Sequence, residues 1–258
     1  MYVTTKALVL REVKYKDADK ILTVLTPGEG KLTVRARGAL RKGCKYGAAA
    51  QQLCYSEMTL FGNAGRWSLN EAGTLEQFLP LRADLGLLAL GSYFAELLET
   101  VSDMDEPDPA LLQLGLNSLY ALGTGKWTPE HVKAVFELRL LSLAGFRPRL
   151  ETCPVCGKEP EEALFSLNGG VLHCRGCPPG TAGVSLPQGR ETLAALRYLL
   201  GAEPKRIFSF RVSPETEREL GALAEAYLRA QLERGFGSLD YWKLVARTGK
   251  AKQETKGT

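Results

Sequence analysis

Histidine is almost missing from this chain: among 258 residues there are only His131 and His173. They lie far apart, and neither belongs to a metal-protease or triad pattern, so histidine-based catalysis has no foothold. Phosphate loops are lacking too. Gly28-Glu29-Gly30-Lys31 and Gly123-Thr124-Gly125-Lys126 have no Ser or Thr after the lysine and a misplaced first glycine, and they read as turns. No long apolar run is present either. Leu85 to Leu98 is interrupted by Gly86, Gly91, Ser92 and Glu96, and falls short of the ~20 residues a membrane span needs. Met1 to Arg11 mixes Lys6 and Arg11 with threonines and has no apolar segment ending in a cleavage site, so no export signal is expected. The expectation is a soluble, cytoplasmic protein that does not engage membranes.

What is present is a globular composition, 45% hydrophobic and 24% charged, in a length that suggests two domains and an appended module. Six cysteines without an export signal point to metal binding in a reducing compartment rather than to disulfides. Four fall in two pairs, Cys153-Pro154-Val155-Cys156 and Cys174-Arg175-Gly176-Cys177, with seventeen residues between the pairs. That is the spacing of a zinc site. Ala163 to Leu172, with Asn168-Gly169-Gly170 at its tip, reads as the hairpin that brings the pairs together. Four thiolates close the tetrahedron around one Zn²⁺ and leave no position for water or substrate, so the metal is expected to be structural. Cys44 and Cys54 receive no role.

The chain divides by pattern near residue 80. Before it run five β-type segments, Val3–Tyr15, Lys20–Thr26, Gly30–Ala36, Leu53–Phe61 and Arg66–Leu75, with a long connection after the third. Five strands in this arrangement fit a closed barrel of the OB type, and an SH3-like barrel shares the signature. After residue 80 the periodicity becomes helical. Asp84 and Thr128-Pro129 mark helix starts, Ala110–Leu122 reads as a helix, and Pro187–Leu200 and Pro214–Arg234 follow the cysteine module. The acidic stretch Asp103 to Asp108 reads as an interhelical loop rather than a cation site. The fold class is therefore α+β: an OB-type barrel over 1–80, then a helical domain over 81–242 with a four-cysteine zinc module at about 151–182. Residues 243–258, carrying Arg247, Lys250, Lys252 and Lys256, read as a basic, disordered tail.

Net charge is only +4, but it is unevenly placed. Residues 1–80 hold twelve Lys and Arg against seven Asp and Glu, and Lys31 to Lys45 contains no acid. Lys31, Arg35, Arg37, Arg41, Lys42 and Lys45 thus form a candidate DNA-binding face, with Tyr15, Tyr46, Tyr55, Phe61 and Trp67 as candidate stacking residues. Nothing resembles a recognition helix, so the contacts are expected to be chiefly with phosphates and strongly salt-dependent. A DNA-binding protein without catalysis is one reading; a protein-binding adaptor with weak DNA affinity is the alternative.

Three segments together carry a more specific resemblance: Ala18-Asp19-Lys20-Ile21-Leu22-Thr23-Val24-Leu25-Thr26, Gly30-Lys31-Leu32-Thr33-Val34-Arg35-Ala36-Arg37-Gly38, and Cys153-x-x-Cys156-Gly157 within a helical region. The chain resembles the bacterial RecO family of DNA repair proteins from barrel to cysteine module. The resemblance implies a non-enzymatic recombination mediator that binds single- and double-stranded DNA and anneals complementary strands. It also implies two protein partners: RecR, with which it helps load RecA, and single-stranded DNA-binding protein, whose acidic C-terminal tail it contacts. On matching positions it places Lys31, Arg35, Arg37, Arg41 and Lys42 on the DNA-binding face and the four cysteines at a zinc site.

Overall fold

Strand periodicity governs the first 78 residues. In Gly30–Ala36 (β3), Leu32, Val34 and Ala36 point inward and are fully buried, so Lys31, Thr33 and Arg35 must face outward. The same alternation recurs in Tyr55–Asn63 (β4), while Tyr2–Tyr15 (β1) and Asp19–Thr26 (β2) each bury a continuous run and Arg66–Glu76 (β5) is mostly exposed. The computed structural model describes residues 1–177 and 183–254. β1 is long enough to serve two neighbours: Tyr2 to Leu8 pairs with β4, and Leu8 to Tyr15 pairs with β2, across an irregularity between Val9 and Arg11. A short parallel contact, Val34 with Trp67 and Arg35 with Ser68, joins β3 to β5. The ring order β1-β2-β3-β5-β4 is closed. This is the five-stranded Greek-key barrel of the OB type, and it excludes the SH3-like alternative. Ala7, Val9, Leu22, Val24, Leu32, Val34, Met58 and Leu60 fill its interior.

The β2–β3 turn is locked by Thr26, whose hydroxyl accepts from the Glu29 amide at 3.0 Å and donates to the Gly30 carbonyl at 3.0 Å. Gly30 has φ +67, and a Cβ there would fall on the backbone of Glu106. A Gly30→Ala variant should therefore lose more than about 2 kcal/mol in a denaturant melt, from left-handed strain and from the collision together. Gly28→Ala, with nothing within 4 Å, should stay close to the parent. Equal stabilities for the two would contradict this account.

Three helices follow the barrel: Leu79–Arg82 (α1), Leu85–Val101 (α2) and Pro109–Thr124 (α3). The Asp84 carboxylate caps α2 by accepting from the Leu87 amide at 2.9 Å. Asp108 does the same for α3, accepting from Ala110 at 3.0 Å and Leu111 at 3.1 Å. The acidic stretch is thus an interhelical loop, as expected, and among the described residues it gathers no metal-ligating cluster.

The chain forms two compact units, one of residues 1–124 together with the chain from Phe236 onward, the other of residues 125–235. This partition differs from the one expected at residue 80, because α1 to α3 pack with the barrel. The second unit holds Pro129–Leu143 (α4), then a three-stranded sheet of Ala163–Ser166 (β6), Val171–Cys174 (β7) and Ser185–Gln188 (β8), then Arg190–Gly201 (α5) and Pro214–Leu232 (α6). β8 occupies ground expected to open a helix at Pro187. α4 is buried along most of its length, as its broad apolar surface predicts. It also buries Lys133 and Glu137, whose side chains pair at 2.9 Å, with Glu225 of α6 3.2 Å from the same ammonium.

One expectation is overturned. Residues from Lys243 belong to the helix Gly237–Glu254 (α7) rather than to a disordered tail, while 255–258 lie outside the described residues. Phe236, Leu239 and Trp242, spaced by three, are buried; Phe236 meets Tyr93 edge-on at 5.9 Å, and the Ser238 hydroxyl donates to Glu96. That apolar stripe, all of it before Lys243, anchors the start of the helix from which the basic residues continue. No helix among the described residues is long and apolar enough to cross a membrane.

Burial in the second unit also has a pH consequence. His131 is packed at 4.8 Å from Phe210, and burial holds its pKa below the usual 6.5 although Glu217 lies 3.7 Å away. A lowered folded-state pKa gives stability that is present above the unfolded value and is lost as pH falls through the folded one. A His131→Phe variant should therefore lose less thermal stability than the parent between about pH 7 and about pH 5. Parallel melting curves for the two proteins would contradict this.

Candidate nucleic-acid interface and metal centre

The basic connection leaves β3 with its charges sorted by strand geometry. Arg35 points outward, and the Asp19 carboxylate grips it: Oδ2 accepts from Nε at 2.9 Å and from a terminal nitrogen at 2.7 Å. Asp19 Oδ1 accepts the Gly38 amide at 2.8 Å. That amide, with the Arg35 guanidinium, holds the Asp19 carboxyl below the usual carboxylate range. Tyr15 lies under the same guanidinium, 5.4 Å from ring centre to Cζ. Arg35 is therefore a fixed cation with a matched counter-charge, and it sets the exit angle of the connection.

From Gly38 the chain turns repeatedly. The amides of Arg41, Cys44 and Gly47 donate to the carbonyls three residues earlier, at 3.0, 3.1 and 3.3 Å. Ala39, Ala49, Ala50 and Leu53 anchor this coil by burial, and the Tyr46 hydroxyl donates to the Arg37 carbonyl. Arg37, Arg41, Lys42 and Lys45 remain exposed and make no ion pair among the described residues. These four are the free charge of the predicted face. Lys31 stands apart from them: its ammonium donates to the Glu99 carbonyl at 2.7 Å, at the far end of β3, about 20 Å along the strand from Arg37.

Lys14 and Lys16 were not anticipated. Strand register brings them in, since Tyr15 pairs with Asp19 and Lys20 with Ala36, and the Leu40 amide donates to the Ala18 carbonyl at 2.9 Å. Both lysines are exposed beside Arg35 and Arg37. The aromatic candidates divide: Tyr15 and Phe61 are exposed, Phe61 meeting Tyr2 at a tilt with ring centres 5.0 Å apart, while Tyr46 and Trp67 are half-buried and pack on the barrel core.

The cysteines converge as the spacing requires. The β6–β7 hairpin pairs Ala163 with Cys174, which carries the second pair of thiols to the turn holding the first. Ligand atoms of Cys153, Cys156, Cys174 and Cys177 all lie within 4.8 Å of one another, and Cys156 and Cys174 are 3.6 Å apart between sulfurs. A tetrahedron with metal–sulfur bonds of about 2.3 Å has edges of about 3.8 Å, so the donor set fits one four-coordinate ion. All four thiols are free. The amide of Cys174 leads in holding the Cys153 thiol down to about 6, while the hydrogen bond with Cys156, and then burial, push Cys177 up to about 12. Four crowded sulfurs cannot ionise together without a counter-charge, which a divalent ion supplies. His173 is fully buried beside Cys174, and its two nitrogens have no partner among the described residues.

Two family models match the chain: "Recombination protein O N terminal" over residues 1–78 and "Recombination protein O C terminal" over residues 82–240. Among similar proteins is DNA repair protein RecO of Acetivibrio thermocellus, 33% identical over 248 residues, covering 95% of this chain and 98% of that one. The RecO of Exiguobacterium sibiricum is 36% identical over 225 residues, 86% of this chain and 89% of its own. That of Symbiobacterium thermophilum is 32% identical over 239 residues, 91% of this chain and 94% of its own. With both halves matched in order and relatives aligned nearly end to end, the chain belongs to the RecO family of DNA repair proteins.

Proposed function

We propose that this protein is a non-catalytic recombination mediator whose barrel binds single- and double-stranded DNA and anneals complementary strands. The observation that carries the reading is the set of four exposed cations, Arg37, Arg41, Lys42 and Lys45, on a connection anchored by Asp19 and four buried apolar residues. A rigid loop presenting charge without counter-charge suits a phosphate backbone, and Tyr15 offers a ring beside it. The same reading includes RecR as a partner in loading RecA onto DNA covered by single-stranded DNA-binding protein, and contact with that protein's acidic tail. In it Cys153, Cys156, Cys174 and Cys177 hold one structural Zn²⁺. When bound, the ion supplies a cross-link between the two turns. The chain's own part is to present four sulfurs from a hairpin already paired. A closed set of four thiolates favours binding over chemistry at the metal.

The test is fluorescence-detected binding of labelled single- and double-stranded oligonucleotides over a salt series. Each phosphate contact contributes roughly 0.7 to the log–log salt slope on single strands, so alanine at all four positions should flatten the slope by about 3. Tight, unchanged binding by that variant would remove the loop from the interface. No binding by the parent even at low salt would leave the protein-adaptor reading in its place.

A further inference from the structure

A second surface, in the unit of residues 125–235, combines the same two chemistries in a different geometry. The segment joining α5 to α6 reads Lys205-Arg206-Ile207-Phe208-Ser209-Phe210-Arg211, cations flanking an apolar, aromatic run. Ile207 and Phe208 turn inward and are buried, Phe210 is half-buried, and Lys205, Arg206 and Arg211 are exposed. Trp127, just before α4, packs on Phe208 at 5.7 Å between ring centres. Phe210 in turn meets His131 at 4.8 Å and Tyr198 at 5.4 Å. Three rings, Trp127, Phe208 and Phe210, therefore face an open pocket of about 300 Å³, lined by Lys126, Trp127, Phe208, Ser209, Phe210 and Arg211, and His131 and Tyr198 back Phe210. The aromatic wall is held from behind: the Tyr198 hydroxyl donates to the Arg206 carbonyl at 3.1 Å, and the Thr128 hydroxyl bonds Glu217.

A rigid ring wall with cations on its rim matches a flat, apolar group that carries anionic charge next to it. That describes a nucleotide within a single strand: the base lies on rings, and the flanking phosphates meet Arg211 and Lys126 at the pocket, with Arg206 and Lys205 exposed on the same segment. Double-stranded DNA does not fit, because its bases are stacked inside the helix. We propose that this pocket is a second single-strand site, taking one unstacked base on Trp127 and Phe210. The proposal rests on the DNA-mediator reading of the barrel and extends it. A protein that anneals needs to retain two strands, and this surface provides a place for a strand that the barrel does not hold.

Trp127 reports on the pocket directly. In a full-length Trp67→Phe/Trp242→Phe protein it is the remaining tryptophan, and its emission should be quenched on titration with a five-nucleotide thymidine oligomer. Quenching should survive alanine substitution of Arg37, Arg41, Lys42 and Lys45, since those charges belong to the barrel. Phe210→Leu, which keeps the apolar filling but removes the ring, should weaken the quenching titration about tenfold, the order of one lost base–ring stack. Arg211→Gln should weaken it and reduce its salt dependence. If the oligomer binds the parent but leaves Trp127 emission unchanged, the pocket inference falls while the barrel reading stands. If an acidic peptide quenches Trp127 and the oligomer does not, the pocket takes protein and the inference is overturned. If the oligomer neither binds nor quenches, both readings fall together.

Discussion

With one structural Zn²⁺ in the four-cysteine module, as proposed, stripping the metal is expected to unfold the module. Structural zinc in comparable small sites is worth on the order of 10 kcal/mol in apparent binding free energy at neutral pH, and little else is available to hold two glycine-rich turns together. The module is nonetheless sewn to α6: Phe165 meets Tyr227 edge-on at 5.1 Å, Tyr227 donates to the Phe146 carbonyl at 3.0 Å, and Gln231 donates to the Leu167 carbonyl at 2.7 Å. The loss should therefore spread. Hydrogen exchange should accelerate first at Phe165 and Leu172 and then along α6, and Cys174→Ala protein should melt several degrees lower. Stoichiometric zinc is expected in the purified parent. A parent free of metal, or a chelated sample with an unchanged melt, would remove the ion from the account. Acidification should also release the metal, because each sulfur it holds must stay deprotonated.

Lys133→Met is expected to cost about 3–5 kcal/mol, the range for breaking a buried ion pair by removing one partner. Glu137 is fully inaccessible, and Lys133 supplies an ammonium 2.9 Å from its carboxylate. Methionine fills the space of the lysine stem but removes the ammonium 2.9 Å from that carboxylate. The double variant Lys133→Met/Glu137→Met removes both charges and should recover most of the loss, since Glu225 retains Arg229 at 3.5 Å. Chemical denaturation of the two variants checks both claims. A single variant within about 1 kcal/mol of the parent would mean that water reaches Glu137.

The ease with which parts of this structure could be read follows from how local their causes are. β3 was legible because it has one buried face, so Leu32, Val34 and Ala36 announce it by themselves, and β2 was legible as a continuous apolar run. The cysteines were legible because ligand spacing is fixed by the metal, whatever surrounds it. The Asp19–Arg35 clamp was not, because it depends on strand register, which places residues sixteen apart side by side. Lys14 and Lys16 escaped for the same reason. α7 was misread because its lysines are conspicuous and its stripe of Phe236, Leu239 and Trp242 is short. The pocket around Trp127 draws on two segments about eighty residues apart, and nothing in its sequence brings them together.

The short seam between β3 and β5 has a bearing on how the barrel meets other chains. Only Val34 and Arg35 pair there, which leaves the first half of β3 with backbone groups to satisfy. The acidic loop covers part of that edge: Met104 bridges Lys31 in parallel, and the Asp105 amide donates to the Lys31 carbonyl at 3.4 Å. Residues beyond the barrel thus act as a guard over its one incomplete seam. A visiting strand finds its template partly taken, so extended peptides are discouraged from joining the sheet and copies of the barrel from pairing edge to edge. Contacts on that side of the barrel are left to side chains and turns.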